Sequence, residues 1–376
     1  MSAFAAGLAD QGRRLLRTPR LLAMAALCLG ASWLMVGTYA RPVVRDLPVA
    51  VLDQDGTGLT RTVRRFLDAT PELRLVDPPE SYAAAERALV RGDLAAVVLL
   101  PEGFTADVKR GRRAGTVVAV DMSNILVGRT ASRAVQKVLA TVAAGAQISL
   151  LQKLGEPADR APARVLPVQA QESLELNPGS SYAAYLAPGF ALFFVHVLAV
   201  LLAFGALPPQ APPCPPAEAA GRLAAVWLLC LALGLAAAWL LLPGAGLAPR
   251  SHPLLLALLL GALLAADLVL AAAMASLGRG GLFPFQLSVM LTMLSFMFSG
   301  LTWPRDALPA PLQALAAAIP FTPFGLAARR LVLEPVGLPD LARPLGWLAL
   351  QALAGLLVLG AGRLLRGRRE AAGSPA

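Results

Sequence analysis

The chain has 376 residues, of which 57% are hydrophobic and 15% charged, and it carries a net charge of +10. Soluble proteins carry about 25% charged residues, so an ordinary water-soluble globule is excluded. The basic excess is no nucleic-acid patch, because much of it flanks apolar runs: Arg13, Arg14, Arg17 and Arg20 precede the first, and Arg363, Arg366, Arg368 and Arg369 follow the last.

Ser2–Arg17 has the pattern of an amphipathic surface helix, with Phe4, Leu8, Leu15 and Leu16 as its apolar members and Pro19 as its stop. Leu21–Tyr39 is long enough to cross a hydrocarbon core, which takes roughly 20 helical residues. A cleaved signal peptide is the other reading of this run, but its apolar stretch exceeds the usual 7–15 residues, which favours a retained anchor. Both readings put the following segment outside the cytoplasm.

Between Arg41 and Ser180 the texture is that of an α/β domain: strands at Leu47–Asp53, Leu73–Val76, Leu94–Leu100 and Thr116–Asp121, and helices at Leu59–Ala69, Ser81–Val90, Phe104–Arg110 and Leu126–Leu154. A strand-like segment, Val165–Leu176, leads back to the membrane. Asp53-Gln54-Asp55-Gly56 has the start of a calcium loop but lacks its terminal glutamate, so it reads as a strand-to-helix turn. Arg61, Arg64, Arg65, Arg110, Arg112 and Arg113 read as a solvated face, with anionic-lipid binding as the alternative.

Five more apolar runs follow, at Ala183–Leu207, Leu223–Leu242, Leu254–Leu277, Phe285–Trp303 and Leu345–Leu364. Two short helical patterns, Ala310–Ala318 and Pro323–Leu333, are too short to span. The expected fold is an α-helical polytopic membrane protein with about six transmembrane helices and an inserted extracytoplasmic α/β domain. Its divisions are an N-terminal cytoplasmic helix (1–20), a first span (21–40), the α/β domain (41–180), a five-helix domain (181–365) with an external re-entrant or interfacial segment at 304–344, and a cytoplasmic tail (366–376). Arginine clusters at both ends and an even span count place both termini in the cytoplasm.

No GxxxxGK[ST], HExxH or GxSxG sequence is present, so neither catalysis nor nucleotide binding has a positive signal. His196 and Asp267 are the ionisable residues inside expected spans. Each reads either as a polar point on a substrate or ion path, or as a structural hydrogen bond between helices. The three cysteines form no CxxC pair, and no metal motif appears.

Several local motifs resemble the permease subunits of ABC-2 type exporters. Leu47–Thr70, LPVAVLDQDGTGLTRTVRRFLDAT, is similar to the start of their large domain. Asp121-Met122-Ser123-Asn124 matches a DxSN element. Asn177-Pro178 with Tyr185, Pro188 and Gly189 resembles the NPxxxSxxYLxPG run into the second span, and Ser299-Gly300 with Pro304 resembles an SGxxxP block near the fifth. The resemblance implies a bacterial inner-membrane efflux permease that pairs with an identical or paralogous copy. ATP would bind a separate ATPase subunit, with no cofactor in this chain, and a periplasmic adaptor is a further implied partner. Small hydrophobic or amphipathic compounds are the implied cargo. One departure stands out: Pro208–Gly221 is proline-rich, with Glu218 as its charged residue, where relatives carry a charged ATPase-contacting segment. Coupling is therefore expected at Arg13, Arg14, Glu218 and Arg279. An envelope sensor or scaffold that binds a periplasmic partner through the α/β domain is the rival reading.

Overall fold

A computed structural model of the protein describes residues 2–40, 45–165, 181–208, 214–277 and 282–372. The chain divides into two units, Val43–Ser173 and Met1–Pro42 with Leu174–Ala376.

In the first of these units, β1 (Leu47–Asp53), α3 (Gly58–Asp68), β2 (Leu73–Val76), α4 (Tyr82–Val90), β3 (Ala96–Leu100), α5 (Phe104–Lys109), β4 (Val117–Val120), α6 (Ile125–Lys153) and α7 (Ala161–Val165) follow one another; α1 and α2 belong to the other unit and are described below. The sheet order is β2-β1-β3-β4, with β1 parallel to both neighbours and β4 antiparallel to β3. Side chains alternate across a strand, and the burial obeys this. Val49 and Val51 of β1 and Ala96, Val98 and Leu100 of β3 point into a core with Val63 and Leu67 of α3 and Ala131, Val135 and Val138 of α6. Ala50 and Val97 point the other way, onto Ala85 and Ala88 of α4. Covered on both faces, the central strands need the near-continuous apolar sequence they have.

The helix starts follow local hydrogen bonding. Thr57 and Thr60 form a capping box at α3, and the Ser81 hydroxyl accepts from Ala84 N–H at 3.2 Å at α4. The Asp53-Gln54-Asp55-Gly56 carboxylates are spent on backbone. Asp53 accepts from the amides of Asp55 and Gly56, at 3.1 and 2.9 Å. Asp55 accepts from Gly103 and Thr105, at 3.0 and 3.1 Å, and so caps α5 from 48 residues away. The Thr105 hydroxyl, opposed by burial and aided by the Thr105 amide, the Thr57 hydroxyl and the Gly103 amide, holds the Asp55 carboxyl below the usual carboxylate range. A depressed native pKa means that the stabilisation is present above the unfolded value and is lost as pH falls through the native one. Hydrogen exchange on the full-length protein should show the 103–109 amides protected at neutral pH and opened in strong acid. Asp55→Asn should lower that protection at neutral pH and flatten its acid dependence; unchanged protection in the variant would remove Asp55 as the cap.

The other unit contains α1 (Ala3–Arg17), α2 (Pro19–Tyr39), α8 (Tyr182–Ala206), α9 (Pro216–Gly244), α10 (Pro253–Leu277), α11 (Leu282–Phe298), α12 (Ala310–Ala318), α13 (Phe321–Leu333) and α14 (Ala342–Ala372). Ser2 caps α1, and Thr18 ends it, so that Pro19 becomes the first residue of α2, where its missing N–H is not needed. Among the described residues, six helices are long and apolar enough to cross a membrane, or seven if the bent α12–α13 pair is one span. One of the six, Val127–Lys153, lies in α6, whose Ala131, Val135 and Val138 belong to the α/β core. The other five, or six with the bent α12–α13 pair, make this a polytopic α-helical membrane protein with about six apolar spanning helices and an inserted α/β domain.

Two expectations are corrected. The fifth apolar run does not reach Trp303: α11 stops at Phe298, because Gly300 turns the chain with φ of 87°. At 17 residues α11 is about 26 Å long. The segment Val165–Leu176 does not begin as a strand, since Val165 closes α7; the rest of it lies outside the described residues. Proline 320 caps α13, which meets α12 at 78°.

Close helix approach in this unit rests on glycine. A Cβ on Gly234 would stand 2.6 Å from Leu260, and one on Gly355 would stand 2.8 Å from Val269. Small residues let membrane helices gain packing where lipid supplies no hydrophobic drive. Trp227 Nε1 adds a 2.9 Å hydrogen bond to the Gly261 carbonyl between α9 and α10.

Candidate functional site: a buried polar chain and a helix platform

Helix α8 carries His196, α10 carries Asp267 and α11 carries Ser295. These residues, up to 99 apart in sequence, meet in the interior of the membrane unit. His196 Nδ1 lies 2.6 Å from Asp267 Oδ2, and His196 Nε2 lies 3.4 Å from Ser295 Oγ. Their exposures are 1%, 2% and 0%. The Ser295 hydroxyl donates to the Thr292 carbonyl, which leaves its lone pairs for an Nε2–H. Nδ1 then either accepts from a protonated Asp267 or, on an imidazolium, donates to its carboxylate. Both arrangements are neutral overall, as burial in a low-dielectric interior requires. They differ by one proton moved along the 2.6 Å bond.

Aromatic rings enclose this chain. Phe321 of α13 stacks on the His196 ring at 5.0 Å, and Phe193 lies 5.1 Å from Phe296 and 5.4 Å from Phe321. The Asp–His–Ser order has the donor pattern of a hydrolytic triad, but its serine is fully buried and its proton is committed to a main-chain carbonyl. The arrangement ties three helices together.

The motif residues converge one level along the same helices. A Cβ on Gly189 would stand 2.6 Å from Leu301 and 3.2 Å from Phe296, so glycine is what admits the α11 end against α8. Pro188 sits inside α8 and removes one helix hydrogen bond there. The Ser299 hydroxyl donates to the Phe296 carbonyl at 2.7 Å and accepts from Leu301 N–H at 3.2 Å, which closes the turn that Gly300 makes. Tyr185 donates to the Thr302 carbonyl at 3.4 Å, and Pro304 precedes a short 3-10 turn. Asn177 and Pro178 lie outside the described residues.

A second site lies at the N-terminal end of α9. Helix α1 buries Gly7, Gln11 and Leu15, one turn apart each, and not the Phe4 and Leu16 expected from its pattern, which are 42% and 68% exposed. Leu15 and Leu8, expected from the same pattern, do pack inward, and the small Gly7 adds the part of this face that apolar size does not mark. A Cβ on Gly7 would meet the Glu218 carbonyl, and one on Gly221 would meet the Phe4 carbonyl. The two helices therefore touch backbone to backbone. Arg222 bridges Glu218 at 2.7 Å and Asp10 at 4.0 Å, and Asp10 pairs with Arg14 at 3.1 Å. Glu218 and Arg14 are thus internally paired, while Arg13 and Arg17 are exposed. Arg279 lies outside the described residues. Among the described residues no group of three or more His, Cys, Asp or Glu could hold a metal ion.

A family profile described as ABC-2 family transporter protein matches residues 21–207, from α2 through the α/β domain to the end of α8. No curated protein matches the chain.

Proposed function

We propose that this chain is the permease subunit of an ABC-2 type exporter in a bacterial inner membrane, with both termini cytoplasmic and the α/β domain outside. The observation that carries the reading is the family match over residues 21–207 on a polytopic helical unit with an inserted α/β domain. That combination supports a general ABC-2-type permease function. In the finer reading, two permeases, identical or paralogous, form an efflux path for small hydrophobic or amphipathic compounds. A separate ATPase chain supplies the energy, and a periplasmic adaptor extends the path.

The α1–α9 platform suits the coupling role. Its helices are locked by the Gly7 and Gly221 contacts, so a push on α1 is passed to α9 without slack. With Glu218 held by Arg222, the exposed Arg13 and Arg17 of α1 are available to meet an ATPase surface. The purified chain alone is expected to hydrolyse no ATP above background, and an ATPase subunit is expected to co-purify with it from its native host. Arg13→Glu with Arg17→Glu should lower the coupled ATPase rate about tenfold or more, since reversing charge at a polar contact costs several kcal/mol, without moving the melting temperature. Full coupling in that double variant would remove α1 from the contact.

A further inference from the structure

We propose that Arg305 and Arg329 form a binding site for a phosphate-bearing anionic group at the end of the helical unit where α8 begins and α11 ends. The site does not depend on the ATPase reading above.

Arg329 lies over the Tyr185 ring at 5.2 Å, and Tyr185 in turn hydrogen-bonds the Thr302 carbonyl. Arg305 packs on the same turn: a Cβ on Gly300 would stand 3.2 Å from Arg305 Cγ and 3.1 Å from Leu326, which is three residues before Arg329 on α13. Both arginines are half-buried, and each keeps one buried guanidinium nitrogen, Nε of Arg305 and Nη1 of Arg329, without a hydrogen-bond partner. Among the described residues neither forms an ion pair with a carboxylate. Asp306, next to Arg305 in the chain, is exposed and does not pair with it, Glu334 pairs with Arg330 at 3.1 Å, and Asp340 accepts from Gly337 N–H at 2.9 Å.

A guanidinium stays protonated at any physiological pH, so the site holds two permanent positive charges that no carboxylate pairs with among the described residues. Leaving a partly buried charge unpaired is costly, and the cation–π contact with Tyr185 offsets only a part of it. The ligand that satisfies two planar five-donor groups is an oxyanion, and phosphate is one that arginine binds in a forked geometry. Tyr185 and the exposed Trp303 give this end of the bundle the aromatic composition of a membrane–water boundary, where lipid headgroups lie. The phosphate therefore comes either from an anionic lipid headgroup or from a soluble phosphate compound.

The test uses the full-length protein, delipidated in a maltoside detergent and titrated with phosphatidylglycerol, with bound lipid counted by native mass spectrometry. Wild type should retain the lipid, and Arg305→Gln with Arg329→Gln should weaken retention at least tenfold. Arg330→Gln, whose target already has Glu334, should bind as wild type does. Inorganic phosphate added at millimolar concentration should displace the lipid if a free phosphate is the natural occupant, and should leave it in place if the headgroup is. Should the double variant fail to fold, Arg329→Lys provides the second reading: it keeps the charge and loses the fork, so lipid retention should fall with the melting temperature unchanged. Wild-type retention in a folded double variant, or in Arg329→Lys, would overturn the proposal.

Discussion

Gly221→Val is expected to detach α1 from α9 and to abolish coupled transport while leaving the rest of the helical unit folded. The added Cβ would meet the carbonyl of Phe4 and stand 2.8 Å from the Leu8 nitrogen. These are backbone atoms, so no rotamer change relieves the overlap, and the helices must separate. Overpacking of this kind costs about 1–3 kcal/mol, and the absence of a flexible neighbour puts this case at the upper end. Separation also exposes Gln11 and breaks the Arg222 bridge between Asp10 and Glu218. Trypsin should then cut at Arg13, Arg14 or Arg17 at least tenfold faster than in wild type, with the melting temperature of the remaining helices little changed. Gly12→Ala is the matched control. No atom lies within 4 Å of its Cβ, and alanine favours a helix by about 1 kcal/mol, so cleavage should be no faster than in wild type. Equal cleavage rates in Gly221→Val and Gly12→Ala would show that the α1–α9 contact is not part of the working protein.

Asp267→Asn is expected to leave membrane levels and melting temperature near wild type and to reduce export by an order of magnitude. An asparagine N–H replaces the proton that a neutral Asp267 gives to His196 Nδ1, so the three-helix chain through Ser295 keeps its geometry. What it removes is the alternative state in which the proton sits on the imidazole. Asp267→Leu removes the donor altogether and leaves Nδ1 unsatisfied at a site where both side chains are nearly inaccessible. Orphaning a buried polar atom costs about 1–3 kcal/mol, although single interhelical hydrogen bonds in membranes average about 0.6 kcal/mol. The complete burial here favours the larger figure, and the expected result is reduced protein level. Export and abundance must be read together. Normal export by the asparagine variant, with loss of protein in the leucine variant, would make the cluster a structural clamp. Normal export and abundance in both would leave it without a role.

Composition and run length determined the membrane character, because about 20 apolar residues in helical form have one favourable solvent, the bilayer. Period-two burial and turn chemistry determined the α/β domain. Leu47–Asp53 is a strand, Ser81 is a cap and Asp53-Gln54-Asp55-Gly56 is a turn, since each signal acts over a few residues. Boundaries slipped where a contact distant in sequence intervened. Helix α11 ends at Phe298 because Gly300 turns between Arg305 and Leu326, and apolarity alone carried that run on to Trp303. The buried face of α1 was half legible for a similar reason: hydrophobic size found Leu8 and Leu15 but also pointed to Phe4 and Leu16, whereas packing against the α9 backbone selected Gly7. The sequence marked His196 and Asp267 separately as polar residues in apolar helices. It held no sign that they pair with each other and with Ser295, because the three residues sit on separate helices and lie up to 99 residues apart in the chain. The same holds for Arg305 and Arg329: that no carboxylate among the described residues pairs with them is a property of three-dimensional surroundings, which only the assembled helices decide.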